Sequence, residues 1–422
     1  MILFHGQRWD DDQLERLRGN LAGACLETLA GPPLLPETVV AACEALASRM
    51  ARGDYDPVLR PLLAALGVEE SQFAAALRLF TRESLERKLT VELGDAPTDL
   101  PHPPFAPIHR QRRGLGVLLH IAAGNVDGLP AYSVVEGLLA GNINILKLPA
   151  ADRGVSLLLL EELTRIEPRL ADFIYVFDTP STDLASLEVF ARAADAVVVW
   201  GGDEAVRSAR QLAQPDTQII SWGHKLSFAY AVPDATQEDL AALARHICLT
   251  RQLLCSSCQG IFVDTADLAE AEELGERFFQ LLRSENRRAS PADLGLRAKA
   301  ALQLYTDSLE ADRGGRRVLR GDGVSVTVAP DCRLELSLLA GNCWVKPLPR
   351  TRLVPTLRPM KGRLQTAGLL CPPAERAQLS ELLARAGVCR VTEPGEMSRT
   401  VPGEAHDGMY PLAAYSRVVE LS

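Results

Sequence analysis

The sequence predicts an α/β protein built on parallel sheets and preceded by a helical region. Three observations predict it. Short apolar runs alternate with stretches of helical length from Leu115 to Leu212, and a second alternation begins after Val232. Residues 10 to about 95 lack this alternation and are rich in Leu, Ala, Arg and Glu.

The elements follow in chain order. Helical spacing of apolar residues shows in the first region, as in Phe73 to Phe80, "FAAALRLF". The Pro-rich passage Asp95 to Ile108 is read as a linker, because proline fixes φ and removes a donor. Leu115 to Ala122, Asn144 to Leu148, Phe173 to Phe177 and Ala196 to Trp200 read as buried strands. Between and after them, Pro130 to Leu139, Val155 to Ile166, Leu184 to Ala193 and Asp203 to Leu212 read as crossover helices. Ile219 to Val232 leads into the second series: a helix from Glu238 to Thr250, a strand from Gly260 to Asp264 and a helix from Leu268 to Ser284. A third portion runs from about 320 onward. There Ala414 to Ser422 partly alternates and predicts an edge strand that pairs with another subunit or with the core sheet. Leu138 to Pro149, "LLAGNINILKLP", is echoed by Leu338 to Pro349, "LLAGNCWVKPLP", either as a trace of two similar βα halves or by chance.

The 422 residues are 47% hydrophobic and 23% charged, enough for two or three domains with substantial cores. A net charge of −9 argues against nucleic acid as the main partner. The start, "MILFHGQRWDDD", lacks the basic and apolar regions of a signal peptide, and no apolar run approaches the roughly 18 residues of a membrane span. The expectation is a cytoplasmic protein whose nine cysteines are reduced.

Three stretches carry candidate chemistry. In "HIAAGN", His120 to Asn125, a strand ends in small residues; in "GNINILK", Gly141 to Lys147, a second ends in lysine. Ligands of open parallel sheets bind beyond the carboxyl ends of strands, which puts Asn125 and Lys147 at that edge. The plain alternative is a turn Asn and a surface Lys. "WGGDEAVRSAR", from Trp200, runs a strand through Gly201 and Gly202 into a helix start, either an anion site or a tight turn. "RQLLCSSCQGIFV", from Arg251, places Cys255 and Cys258 three apart. That spacing fits half a zinc site, a dithiol pair, or one nucleophile with a bystander.

Taken together, these stretches resemble the aldehyde dehydrogenase superfamily. Leu115 to Asp152 is similar to its segment carrying a catalytic Asn and an AGN-x4-K cofactor lysine. "AVVVWGGDEAV", "SWGHKLS" and "RQLLCSS" look like its cofactor loop, its Gly-Gly-Lys turn (with His224 replacing the second Gly) and its nucleophile loop. "CSSCQ", "GRLQTAG", "AGVCRV" and "HDGMYPL" narrow the resemblance to the long-chain fatty-acyl-CoA reductases of bacterial luminescence and their relatives.

The resemblance implies two parallel-sheet α/β domains with an active-site cleft between them. The expected division is a helical region over residues 1–95 packing on the cofactor domain and an NAD(P)-binding domain over 96–232. A catalytic domain over 233–400 and a C-terminal segment over 401–422, which carries the oligomerisation strand of a homodimer or higher homo-oligomer, complete it. Cys255 aligns with the nucleophile and Asn125 with the oxyanion donor; Lys147, Gly201, Gly202 and Ala150 fall at cofactor-binding positions. Cys258 stands where the luminescence reductases carry proline, so its reading is a packing thiol.

Three departures matter. Ser221 replaces the Glu that activates water in aldehyde-oxidising members, which favours reduction of thioesters; His224 is an alternative base or a turn residue. Ala150 replaces a ribose-binding Glu, which favours NADPH, with NADH as the second choice. No E-x-F-G-P run is present. The expected activity is NADPH-dependent reduction of an acyl-CoA or carrier-protein-bound acyl group to an aldehyde, with an acyltransferase or synthetase as a further partner and no metal. Arg313 to Arg320, "RGGRRVLR", reads as an exposed loop that could meet CoA phosphates or an acidic carrier. The competing readings are an oxidative NAD(P)-dependent aldehyde dehydrogenase and a non-catalytic nucleotide-binding or thiol-based scaffold.

Overall fold

A computed structural model describes residues 1–66, 70–94, 99–100, 108–122, 128–149, 152–289 and 294–421. The chain divides into two compact units, Met1–Gly223 with Val401–Ser422, and His224–Thr400.

The strands of the first unit are Ile2–Phe4 (β1), Gln7–Trp9 (β2), Asp99–Leu100 (β3), Ile108–Gly114 (β4), Val117–Ile121 (β5), Ile143–Lys147 (β6), Ile174–Phe177 (β7), Ala196–Trp200 (β8) and Gln218–Trp222 (β9). Seven form one sheet in the order β2-β1-β7-β6-β5-β8-β9. Strands β5 to β9 pair in parallel, while the β1–β2 hairpin adds antiparallel to β7. Every residue of β6 and β7 is buried, as parallel strands covered on both faces require. The helices Leu129–Leu139, Val155–Ile166, Leu184–Ala193 and Asp203–Leu212 form where the apolar periodicity placed them. Helix Leu184–Ala193 starts where Asp183 accepts from Ser186 N at 3.1 Å. The N-terminal helices Leu14–Ala30 and Pro36–Ala51 pack on three of these four, and bury Leu17, Leu21, Val39, Val40 and Leu46.

The second unit holds Leu226–Ala231 (β10), Cys258–Val263 (β11), Arg317–Gly321 (β12), Val324–Val328 (β13), Asn342–Pro347 (β14), Leu364–Leu370 (β15) and Arg390–Thr392 (β16). Their order is β12-β13-β14-β11-β10-β15-β16, parallel except for β12. At Gly260 a Cβ would meet the Trp344 ring at 2.1 Å, so only glycine lets β11 and β14 pack with that indole between them. Strand β17, Ser416–Leu421, returns to the first unit and closes a three-stranded sheet, β17-β4-β3.

Several expectations change. Ile219 to Val232 is two strands: β9 ends the first sheet and β10 sits inside the second, so residues 224–232 belong to the second unit. The C-terminal strand pairs with β4 of its own chain, Arg417 opposite Arg113 and Glu420 opposite Arg110, and Arg110 Nε donates to Glu420 Oε1 at 2.9 Å. Arg313 to Arg320 is no loop. It spans the end of helix Leu294–Gly314 and most of edge strand β12, where Arg317 pairs with Glu272 and Glu276. The Pro-rich passage lies almost wholly outside the described residues. The two AGN echoes do similar local work, each turning through glycine at positive φ with the following Asn N–H bonded back into the turn. They precede non-equivalent strands, however: β6 lies beside β5, the first strand of its series, whereas β14 lies one strand removed from β10.

Candidate active site

Cys255 sits in the second unit between helix Gln237–Thr250 and β11, with its side chain exposed. The helix ends with Arg251 at φ 51° and Gln252 at φ 64°. Two consecutive non-glycine residues in the left-handed region are costly and persist only where surroundings hold them. They are held here. Buried Gln252 donates from Nε2 to Cys258 O at 3.0 Å and accepts at Oε1 from Gly341 N at 3.0 Å. Buried Gln259 donates to Gln252 O at 3.3 Å and Ser257 O at 3.2 Å, and accepts from Ser337 Oγ at 2.8 Å. Facing this turn, Leu339 at φ 61° and Ala340 at φ 50° are equally strained, and Ala340 N donates to Arg251 O at 3.0 Å. Ser227 Oγ donates to Cys255 O at 2.7 Å, and Ser256 shares a 2.8 Å hydroxyl bond with Ser398.

Cys258 differs in every respect. It is buried, its Sγ lies 3.2 Å from Gly260 O, and burial pushes its thiol up to about 12. A thiol held protonated in this way is a poor nucleophile. His246 is buried with its pKa pushed down to about 4 by desolvation, and its Nε2 accepts from Cys258 N at 3.4 Å. None of the nine cysteines forms a disulfide. Among the described residues no three His, Cys, Asp or Glu side chains gather as a metal set.

The other candidates lie in the first unit. Lys147 ends β6, is buried, and donates to Ser181 Oγ at 3.0 Å. Desolvation lowers its pKa, against the opposing pull of Asp178. Two residues past Phe177, the partner of Lys147 across the sheet, the buried hydroxyl of Thr179 has no partner among the described residues. Gly201 N donates to Trp222 O at 3.1 Å, and a Cβ there would stand 3.0 Å from Ala205 Cβ. Gly202 caps the helix Asp203–Leu212 without a side chain. A buried ammonium, an orphaned hydroxyl and a glycine-lined helix start, all at one carboxyl edge, fit the ribose and phosphate groups of a dinucleotide. Beneath that edge His120 is buried and its pKa is pushed down to about 4 by desolvation. Its Nε2 meets Asn144 Oδ1 at 3.0 Å and its Nδ1 meets Ser133 Oγ at 2.8 Å, while Trp200 Nε1 donates to the same Ser133. Asn144 Nδ2 donates to Asn142 O, so Oδ1 accepts and the neutral imidazole carries its proton on Nε2.

Asn125 and Ala150 lie outside the described residues. Ser221 lies on β9, and His224 is exposed in the segment leading to β10. Sequence reasoning missed Gln252, Gln259, Ser227 and Ser257. The available signal was amide and hydroxyl residues interrupting an otherwise apolar approach to β11.

Solved structures share this fold. An NAD-dependent benzaldehyde dehydrogenase from Corynebacterium glutamicum superposes with a TM-score of 0.69 at 15% identity, covering 99% of this chain and 91% of that one. Proline utilization A of Bradyrhizobium japonicum superposes with a TM-score of 0.72 at 17% identity, over 98% of this chain and 45% of that one. The two units therefore define an aldehyde dehydrogenase-like α/β protein. Sequence places it more narrowly. The family model described as Acyl-CoA reductase (LuxC) matches residues 36–418, and the chain belongs to that family. The long-chain acyl-protein thioester reductase of Aliivibrio fischeri is 26% identical over 316 residues, 72% of this chain and 63% of that protein. Long-chain acyl-protein thioester reductase 2 of Photobacterium leiognathi is 27% identical over 316 residues, 70% of this chain and 62% of that protein. The chain thus spans less than two thirds of either relative's length.

Proposed function

We propose that the protein reduces an acyl thioester to an aldehyde through an acyl-enzyme on Cys255. The observation that carries this reading is the contrast within one motif: an exposed Cys255 on a braced turn, three residues before a buried, protonated Cys258. The Cys255 thiolate attacks the thioester carbonyl, forming a new C–S bond and a tetrahedral oxyanion. The Cys255 N–H and, by the resemblance, the Asn125 amide stabilise that oxyanion. Its collapse expels the CoA or carrier thiolate and leaves the acyl group on Cys255. A reduced nicotinamide, when bound, supplies hydride to the acyl carbon. The resulting thiohemiacetal breaks its C–S bond, releases aldehyde and restores the thiolate.

Lys147, Thr179 and the Gly201–Gly202 loop are the groups of this chain that would hold the dinucleotide, and Ala150 favours NADPH. Ser221 offers no carboxylate base for hydrolysis, which favours the reductive direction. Exposed Leu253 and Leu254, directly before Cys255, suit an apolar acyl chain. The donor is an acyl-CoA, an acyl-carrier protein or a partner acyltransferase or synthetase. Strand β17 is an edge of its sheet, which suits pairing within a homodimer or higher homo-oligomer.

The test follows NADPH oxidation and aldehyde release across a panel of acyl-CoAs and carrier-bound acyl groups. Thiol-ester-dependent aldehyde formation is expected. Acid formation from aldehydes with NAD, and none from thioesters in reverse, would favour the oxidative reading instead.

A further inference from the structure

We propose that Ser257 is a positioning residue for the amide N–H of Cys255, an inference that rests on Cys255 being the nucleophile. Leu254, Cys255, Ser256 and Ser257 make a tight turn. Ser257 N donates to Leu254 O at 2.9 Å, and Ser257 Oγ accepts from Leu254 N at 3.1 Å. Both backbone groups of Leu254 are therefore held by one fully buried residue. A trans peptide is planar, with its C=O and N–H pointing in opposite directions. Holding Leu254 C=O toward Ser257 therefore aims the Cys255 N–H the opposite way, out of the turn that carries the exposed thiol. The next peptide is held separately, because Cys255 C=O accepts from Ser227, whose hydroxyl in turn accepts from Thr366 N at 3.1 Å.

The division of labour is specific. Ser227 orients the peptide after the nucleophile; Ser257 orients the peptide before it, the one that carries the oxyanion donor. An oxyanion donor works over a narrow range, about 2.7–3.1 Å from the developing charge, so rotating this plane removes its effect without moving the sulfur far. The strained Arg251 and Gln252 immediately upstream give the segment a reason to relax once the clamp is cut. Removing the Ser257 hydroxyl leaves Leu254 N–H, part of the 253–254 peptide, without its acceptor; Leu254 is then free to rotate, and the adjoining 254–255 peptide keeps only the bond from Ser257 N.

The experiment compares two reactions at the same sulfur. Acylation by acyl-CoAs from acetyl to hexadecanoyl, without NADPH, develops an oxyanion; alkylation by iodoacetamide does not. Both are followed by mass spectrometry mapped to the Cys255 peptide. Ser257→Ala is expected to slow acylation by about 10–100-fold while alkylation stays within about 2-fold, since thiolate character and access govern that reaction. Ser257→Thr keeps the accepting hydroxyl and is expected to acylate within about 3-fold of wild type. Equal slowing of both reactions in Ser257→Ala, unchanged acylation in it, or slow acylation with normal alkylation in Ser257→Thr would each overturn the assignment. Should wild type itself take no acyl group on Cys255, the nucleophile reading falls first and this one with it.

Discussion

The two units are built around an inner first strand, and their candidate groups lie at opposite edges of the sheets. In each, the first parallel strand lies inside the sheet with parallel strands on both sides: β7-β6-β5-β8-β9 in the first unit and β13-β14-β11-β10-β15-β16 in the second. The rule that ligands bind at carboxyl ends near the reversal of strand order finds Lys147 and the Gly201–Gly202 loop in the first unit. It misses the candidate nucleophile in the second, because Cys255 precedes β11 and so lies at the amino-terminal edge. At the second unit's carboxyl edge the charged groups are already consumed. Lys346 Nζ pairs with Asp331 at 2.7 Å and Glu335 at 2.6 Å, and Arg350 clasps Asp264 at 2.6 Å and also pairs with Glu375. Lys147, at the matching edge of the first unit, has no carboxylate within ion-pair distance among the described residues, only Ser181. A strand order alone therefore does not mark a candidate site; at the first unit's carboxyl edge the mark is a lysine and a hydroxyl whose partners are incomplete among the described residues.

The sharpest way to break this comparison is at the cysteines. Cys255→Ser is expected to abolish acyl-enzyme formation, since a serine hydroxyl lacks the thiolate's nucleophilicity. Cys258→Ala is expected to keep most activity, because its sulfur is a buried packing group. Mass spectrometry after incubation with acyl-CoA reads both variants. Acyl label on Cys258, or label persisting in Cys255→Ser, would move the reactive group off the amino-terminal edge and into the core.

The two lysines come next. Lys147→Ala is expected to weaken NADPH binding by roughly 1.5–3 kcal/mol, or about 10–100-fold, with little change in melting temperature. Lys346→Ala should do the reverse. It strands Asp331 and Glu335 and costs about 2–3 kcal/mol of stability, below the figure for a fully buried pair because both carboxylates keep some solvent. Binding titrations and thermal melts on both variants separate the roles. An unchanged NADPH affinity in Lys147→Ala would remove that edge from cofactor binding.

Much of the fold was legible because parallel strands buried on both faces spell themselves as apolar runs. "AVVVW" and "FIYVF" are comfortable where both faces of the sheet are covered. The candidate nucleophile, Cys255, stood out through a motif. What held it was not. Gln252 and Gln259 bond to backbone groups on both sides of the cysteine pair and across the 337–341 turn, and no local spacing encodes that partnership. The N-terminal hairpin was missed because three-residue strands carry too little alternation to register. Strand β12 was missed because Arg317 and Arg320 made it look like a charged loop, although Val318 and Leu319 between them are half-buried.

The smallest expected effect concerns a feature the two units share. Each buries one neutral histidine, His120 below the carboxyl edge of the first sheet and His246 against the start of β11 in the second. Burial pushes both pKa values down to about 4, whereas the unfolded chain titrates near 6.5. The sign follows. Above about pH 6.5 neither state binds the proton and the contribution is fully present; as pH falls toward 4 the unfolded chain takes up protons that the folded chain refuses, and stability is lost. Between pH 7 and 5.5 each histidine should account for roughly 1 kcal/mol. Hydrogen exchange at β5 and at β11, corrected for its intrinsic pH dependence, reads the two units separately. His120→Gln should flatten the acid loss at β5 alone and His246→Gln at β11 alone. In the second unit the proton would also land on the Nε2 that accepts from Cys258 N, so acid should loosen β11 at the end next to the nucleophile loop before it loosens the rest. Protection at Cys258 and Gln259 that survives to pH 5 while Phe262 and Val263 open would refute that order.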